Sequence, residues 1–388
     1  MKLTLAAALL AATQLIMPAA AHADLTTTSA SRTISGSSHG FTWTATSTIV
    51  GQTSTATLAG GGDPIYFANP SYSGVVSLIM DEGAAGSFIC SGTLLSDRRS
   101  ILTAGHCVSH GAGTDNPIST TAYFSTGATP DSVTYLDPAS TAISVSQYFV
   151  NPDYTGEVID QNDIAVLRLS QAAPDWAISY GLYDGGDLTG TDFNIAGYGA
   201  RSDVGGAIGA DLSPGRLRQG DNRYDFRLGD SDFGGFFTPG FFGEDASTEI
   251  GYSYLSDFDN GLAANDTSCQ LTTEGLGFAP SPKYCNLGLG SLEVGDAGGD
   301  SGGPEFVDGM IASVTSYGLT FGSDFGDVDN DLNSSWGEFN GFVPTFLHMD
   351  FIKGSMVAAP EPITWVQFIL GFGLIGGASR SRRRLQLQ

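Results

Sequence analysis

Glycine, aspartate, serine and proline interrupt this chain so often that long amphipathic helices cannot be fitted to it, which limits the fold more than any other feature. Of 388 residues, 53 are glycine. Between the interruptions lie short apolar runs such as Val76-Ser77-Leu78 and Ile164-Ala165-Val166-Leu167. Runs of this kind bounded by turn formers read as strands, and their close spacing predicts an all-β architecture. Only 15 % of the residues are charged, and the formal net charge is −25. So acidic a chain is a poor nucleic-acid binder, because phosphate contacts need Lys and Arg. The acidity reads instead as a solvated surface.

Three short segments carry chemistry. Gly299-Asp300-Ser301-Gly302-Gly303-Pro304 sets a serine among glycines, a composition suited to a tight turn that presents the Ser301 hydroxyl. Thr103-Ala104-Gly105-His106-Cys107 supplies a histidine, and Asn162-Asp163-Ile164 opens a strand-like run with an aspartate. A serine hydroxyl is a weak nucleophile near neutral pH and needs a base, which histidine provides. A buried carboxylate then fixes the imidazole tautomer. The candidate catalytic residues are therefore His106, Asp163 and Ser301.

That order and those flanks resemble the trypsin/chymotrypsin-like serine protease family, whose TAAHC, DIAL and GDSGGP blocks stand here as TAGHC, DIAV and GDSGGP. Phe88-Ile89-Cys90-Ser91-Gly92-Thr93-Leu94, Ser316-Tyr317-Gly318 and Gly341-Phe342-Val343-Pro344-Thr345 extend the resemblance over most of the chain. It implies two antiparallel six-stranded β-barrels with the active site in the cleft between them, and hydrolysis of peptide bonds through an acyl-enzyme. It also implies an oxyanion hole from the N–H groups of Gly299 and Ser301, and substrate contacts from Gly295, Asp296, Ser316, Tyr317, Gly318 and Gly341. No cofactor or metal is implied. Four cysteines allow three pairings; the resemblance implies Cys90 with Cys107 and Cys269 with Cys285. The alternative is a catalytically silent protease-fold binding protein.

Gly299-Asp300-Ser301-Gly302-Gly303 also fits the nucleophile elbow of α/β-hydrolases. His348, with Asp324, Asp327 or Asp329, would then complete the site. That fold needs strands alternating with long helices, and the punctuation argues against it.

Residues 1–23 read as a signal peptide: Lys2, an apolar run and Ala21-His22-Ala23 as a small-x-small cleavage site. Export to an oxidising compartment suits the cysteines. Residues 24–63 are Ser/Thr-rich and lie outside the resemblance; a pro-segment, an extra strand on the first barrel or a spacer all fit them. Residues 64–356 form the expected protease domain. In residues 357–388, Pro360-Glu361-Pro362 precedes an apolar stretch and Arg380, Arg382, Arg383 and Arg384. This layout resembles the PEP-CTERM sorting tail of Gram-negative bacteria. It implies a hydrophobic sorting helix, transient insertion in the inner membrane, processing by an exosortase, and a final place in the periplasm, outer envelope or extracellular matrix.

Several positions depart from the family pattern. No Ile-Val-Gly-Gly follows an arginine; Ile65 follows Pro64, and Arg32-Thr33-Ile34 is a weak substitute. Gly295 stands six residues before Ser301, where trypsin-like members have an aspartate, with Asp296 one step nearer. Residues 198–265, rich in Gly, Asp and Phe, account for most of the extra length, and burial of their phenylalanines is expected. Asp327, Asp329, Asp331, Ser335 and Glu338 have calcium-loop spacing, but Leu332 replaces the required glycine, so a solvated acidic loop is expected.

Overall fold

The computed structural model describes residues 33–46, 72–111, 116–127, 132–202 and 204–356. The signal peptide (1–23), Ile65 and the sorting tail (357–388) lie outside the described residues. Among the described residues, no helix is long and apolar enough to cross a membrane.

Six strands close a barrel: β3 (Val75–Asp81), β4 (Ser87–Leu94), β5 (Ser100–Thr103), β6 (Ser119–Phe124), β7 (Thr141–Val150) and β8 (Ala165–Leu169), in the order β3-β4-β5-β8-β7-β6. β6 returns to β3 with Leu78 opposite Ala122, which leaves this sheet no free edge. Leu78, Leu94, Ile101, Phe124 and Leu167 fill it, all essentially inaccessible to solvent.

The second half departs from the expected six-stranded barrel. It is a nine-stranded sheet. β9 (Asp192–Gly197), β10 (Arg218–Arg223), β11 (Phe226–Arg227), β12 (Tyr254–Asp257), β13 (Pro304–Val307), β14 (Met310–Thr320) and β15 (Phe339–Pro344) run in the order β10-β9-β13-β14-β15-β12-β11. The physical reason is β14, eleven residues long and more than one neighbour can cover. β13 pairs with its first part, as far as Val314. Its far end is covered by a hairpin from the N-terminal segment, β1 (Thr33–Ser38) and β2 (Phe41–Thr46), with Thr44, Ala45 and Thr46 opposite Thr320, Leu319 and Gly318. The alternation of Phe41, Trp43 and Ala45 with threonines puts the three apolar side chains into the core. They meet Phe233, Phe237, Phe241 and Phe242 of the 198–265 stretch, which are buried there.

Barrel and sheet share a third apolar layer, with Val75, Ile89 and Leu102 from one and Tyr198, Ile311 and Val343 from the other. Ile352 of the C-terminal helix α2 (Met349–Met356) belongs to the same layer. A shorter helix, α1 (Thr267–Gln270), leads into the Cys269–Cys285 disulfide, and Cys90–Cys107 ties β4 to the turn after β5. Both pairings are as expected.

Glu305 on β13 is fully buried, and Ser313 and Thr315 of β14 donate to its two oxygens at 2.5 and 2.6 Å. Burial pushes its carboxyl up to about 8 from 4.5. The folded protein thus holds a proton that the unfolded chain gives up above pH 4.5. This contribution to stability is complete below that pH and is lost as pH rises through 8. Denaturant titrations between pH 5 and 9 are expected to show stability falling as pH rises, and Glu305→Gln is expected to flatten the slope. An unchanged slope in the variant would rule this out.

Candidate active site

The turn after β5 carries His106 to the seam between barrel and sheet. Its backbone N–H donates to Asp163 Oδ1 at 2.7 Å, and its Nδ1 lies 2.6 Å from Asp163 Oδ2. Asp163 comes just before β8 and is buried. Ser316 of β14 donates its hydroxyl to the same Oδ2 at 2.6 Å. Three donors thus converge on one carboxylate. With Nδ1 bonded there as donor, the neutral ring keeps its lone pair on Nε2.

Ser301 stands in the turn before β13. Gly299 adopts φ +116° and Gly302 φ +77°, conformations that a side chain strongly disfavours. The turn is held from both sides. Gly302 N–H donates to Thr315 O at 2.8 Å, and Thr315 N–H to Gly303 O at 3.0 Å. From β4, Ser91 N–H donates to Ser301 O at 2.8 Å while Ser91 Oγ donates to Gly299 O at 2.7 Å. Ser91 Oγ also accepts from Tyr198 N–H at 2.9 Å.

His106 and Ser301 line one cleft, with the Cys90–Cys107 disulfide between them. Cys107 Sγ is 3.9 Å from His106 Nε2 and 3.6 Å from the Ser301 carbonyl. Met80, Phe88 and Ile89 give the cleft an apolar wall.

Ser316, one of the expected substrate contacts, is the Asp163 donor described above. Gly295 is packed under Phe258, whose ring carbon would sit 2.8 Å from an added Cβ. Gly341 is packed under Tyr317 in the same way, at 2.4 Å. The Tyr317 ring is buried and its hydroxyl shares a hydrogen bond with Ser253 Oγ at 2.6 Å. Asp296 is buried, with neither carboxylate oxygen hydrogen-bonded among the described residues. Burial, then the charges of Asp300, Glu305 and Glu338, holds its carboxyl well above the usual range. Gly318 sits opposite Thr46 of the hairpin. Asp300 accepts from Gly199 N–H at 2.7 Å and Ala297 N–H at 3.2 Å. Ile34, of the Arg32-Thr33-Ile34 stretch, is in β1 opposite Ala45.

His348, the base of the elbow reading, is buried; its Nε2 lies 2.8 Å from Gln161 O and its Nδ1 3.3 Å from Asn151 Nδ2. Burial holds its pKa below the ordinary value. Both ring nitrogens are engaged structurally. The acidic loop is not solvated as expected: Asp327, Ser335 and Glu338 are buried, and every carboxylate oxygen of Asp327, Asp329 and Glu338 accepts a hydrogen bond from nearby main-chain or side-chain groups.

The linking role of Ser91 is invisible in sequence, since a serine beside a cysteine in a strand has no signature. Ser91→Ala leaves the Gly299 carbonyl and the Tyr198 N–H buried without this partner. It is expected to cost about 1–3 kcal/mol, read by urea denaturation. A cost near zero would mean that Ser91 does not hold the turn.

Residues 61–220 match the family model described as Trypsin. That span includes His106 and Asp163 and ends before Ser301. No curated protein sequence matches the chain. Among solved structures, it is similar to neuropsin, a serine protease expressed in the limbic system of mouse brain. The identity is 18 % and the TM-score 0.46, over 75 % of this chain and 98 % of that one. It is similar also to HL collagenase, with 17 % identity and TM-score 0.46, over 76 % of this chain and 99 % of that one. Residues 61–220, which contain the closed barrel, are thus similar in sequence to the trypsin family.

Proposed function

We propose that the chain is an exported serine endopeptidase working through His106, Asp163 and Ser301. The observation that carries this reading is the Asp163–His106 contact at 2.6 Å, in a cleft that His106 shares with Ser301. Ser301 Oγ attacks the substrate carbonyl while His106 Nε2 takes its proton. Asp163 holds the ring and stabilises the imidazolium. The N–H groups of Gly299 and Ser301 face the oxygen that becomes negative; one such donor contributes ~10²–10³ in kcat. The imidazolium then protonates the leaving amine. Water, deprotonated by the same Nε2, releases the acyl group and restores the Ser301 hydroxyl.

Export and sorting rest on the signal peptide (1–23) and on the tail (357–388), with the exosortase as processing partner. The two disulfides agree with an oxidising destination.

A fluorophosphonate probe is expected to label the processed protein and not Ser301→Ala, and that variant is expected to lose at least ~10³ in kcat. Absence of labelling in folded, processed protein would favour the silent binding protein instead.

The N-terminal segment acts in this reading as a built-in competitor for substrate. An extended peptide with its carbonyl at Ser301 would add as a strand to β14 along Ser316, Tyr317 and Gly318. β2 already pairs with that strand from Gly318 onward. A variant lacking residues 24–46 is expected to lose stability, since Phe41, Trp43 and Ala45 are buried. It is also expected to gain at least about tenfold in kcat/KM on peptides with four residues before the scissile bond, with no gain on a single-residue ester. An equal change on both substrates would sink the idea.

A further inference from the structure

Where β10 and β12 approach each other, the molecule buries more carboxylates than the nearby Arg223 can match. Asp257 ends β12, Asp259 follows two residues later, and Glu293 lies beside β10, bridged to Asp221. All three are buried, and an oxygen from each lies within 4.8 Å of the others. Main-chain N–H groups supply what donors there are. Ser268 N–H donates to Asp257 Oδ2, Leu289 and Asp259 N–H to the two oxygens of Glu293, and Gly261 N–H to Asp259 Oδ1. Asp259 is 1 % exposed, and its Oδ2 is buried with no hydrogen-bond partner among the described residues.

Two more acids adjoin. Asp225 Oδ2 accepts from Asp257 N–H at 2.7 Å, and Asp266 accepts from Cys269 N–H at 2.8 Å. The nearby base is Arg223, whose Nε pairs with Asp192 at 2.6 Å.

We propose that Asp257, Asp259 and Glu293 form a calcium site. The donor set is oxygen only, the choice of a hard cation. Oxygens this close can all touch one ion, and a buried set of protein oxygens suits Ca²⁺ better than Mg²⁺, which sheds its waters reluctantly. The Asp259 oxygen that no N–H reaches has the lone pairs such an ion takes. The ion would join β12 to the segment that runs from Glu293 through Gly295 to the Ser301 turn. Asn222 already ties these two strands, donating to Asp257 O at 2.8 Å and Val294 O at 3.0 Å.

The test is calorimetric titration of the chelator-stripped full chain with CaCl₂, with thermal unfolding in Ca²⁺ and in EDTA alongside. One Ca²⁺ per chain and a higher Tm in Ca²⁺ are expected. Asp259→Asn and Glu293→Gln should each weaken binding at least tenfold, while Asp329→Asn, in the other acidic loop, leaves it unchanged. If either variant fails to fold, the wild-type chain still decides, because Ca²⁺ should slow proteolysis within residues 286–293. No binding at millimolar CaCl₂, an equal response to MgCl₂, or loss of binding in Asp329→Asn alone would overturn the assignment. None of these readouts needs peptidase activity.

Discussion

The cleft depends on the carboxylate of Asp163. Its residue introduces β8 of the closed barrel, yet one of its donors is Ser316 of the opposite sheet. The other two come from the His106 backbone and ring. Apolar contact between barrel and sheet is non-directional and leaves them free to slide by fractions of an ångström. Hydrogen bonds of 2.6–2.7 Å do not. A second link runs the other way, from Ser91 of β4 to the carbonyls of Gly299 and Ser301. The imidazole and the serine turn are therefore each fixed to both halves of the molecule, and their mutual position follows from where the halves meet.

Much of the barrel half was legible in the sequence. Apolar runs such as Val75 to Met80 mark the strands, although the pairings of β5 with β8 and of β6 with β3 join strands that are not sequence neighbours. The disulfides were legible through the resemblance, which paired Cys90 with Cys107 and Cys269 with Cys285 as the structure has them. For the cleft, the sequence offered residue types whose chemistry fits together; it could not offer Ser91 or the Asp163 bond of Ser316. Those contacts join positions 208 and 153 residues apart and depend on the facing of two sheets.

The second half was less legible, for a topological reason. An extra strand on the first barrel was one reading of the Ser/Thr-rich stretch, but β2 joins β14 of the other sheet, because the alternating Phe41, Trp43 and Ala45 specify a strand and not its partner. The phenylalanines of 198–265 form much of the surface that receives β2. Hairpin and insertion complete each other, and neither has a full core alone. The same packing places the Tyr317 ring against Gly341, where an added Cβ would meet it.

The acidity of the chain has two physical meanings. Exposed acids such as Asp232 interact with the few bases present: Lys283 bridges Asp230 and Asp232 at 2.7 and 2.9 Å. With 16 Lys and Arg against 41 Asp and Glu, the remainder must be accommodated otherwise. On the surface, water does so. Inside, the cost of a carboxylate is met by a proton, by donors or by a cation. Glu305 has two hydroxyls, and Glu338 has the N–H groups of Asn333, Ser334 and Ser335. At Asp257, Asp259 and Glu293 the donors run out before the oxygens do, and three acids this close cannot all ionise without positive charge. A cation meets that need without a basic side chain, and the sequence has few to give.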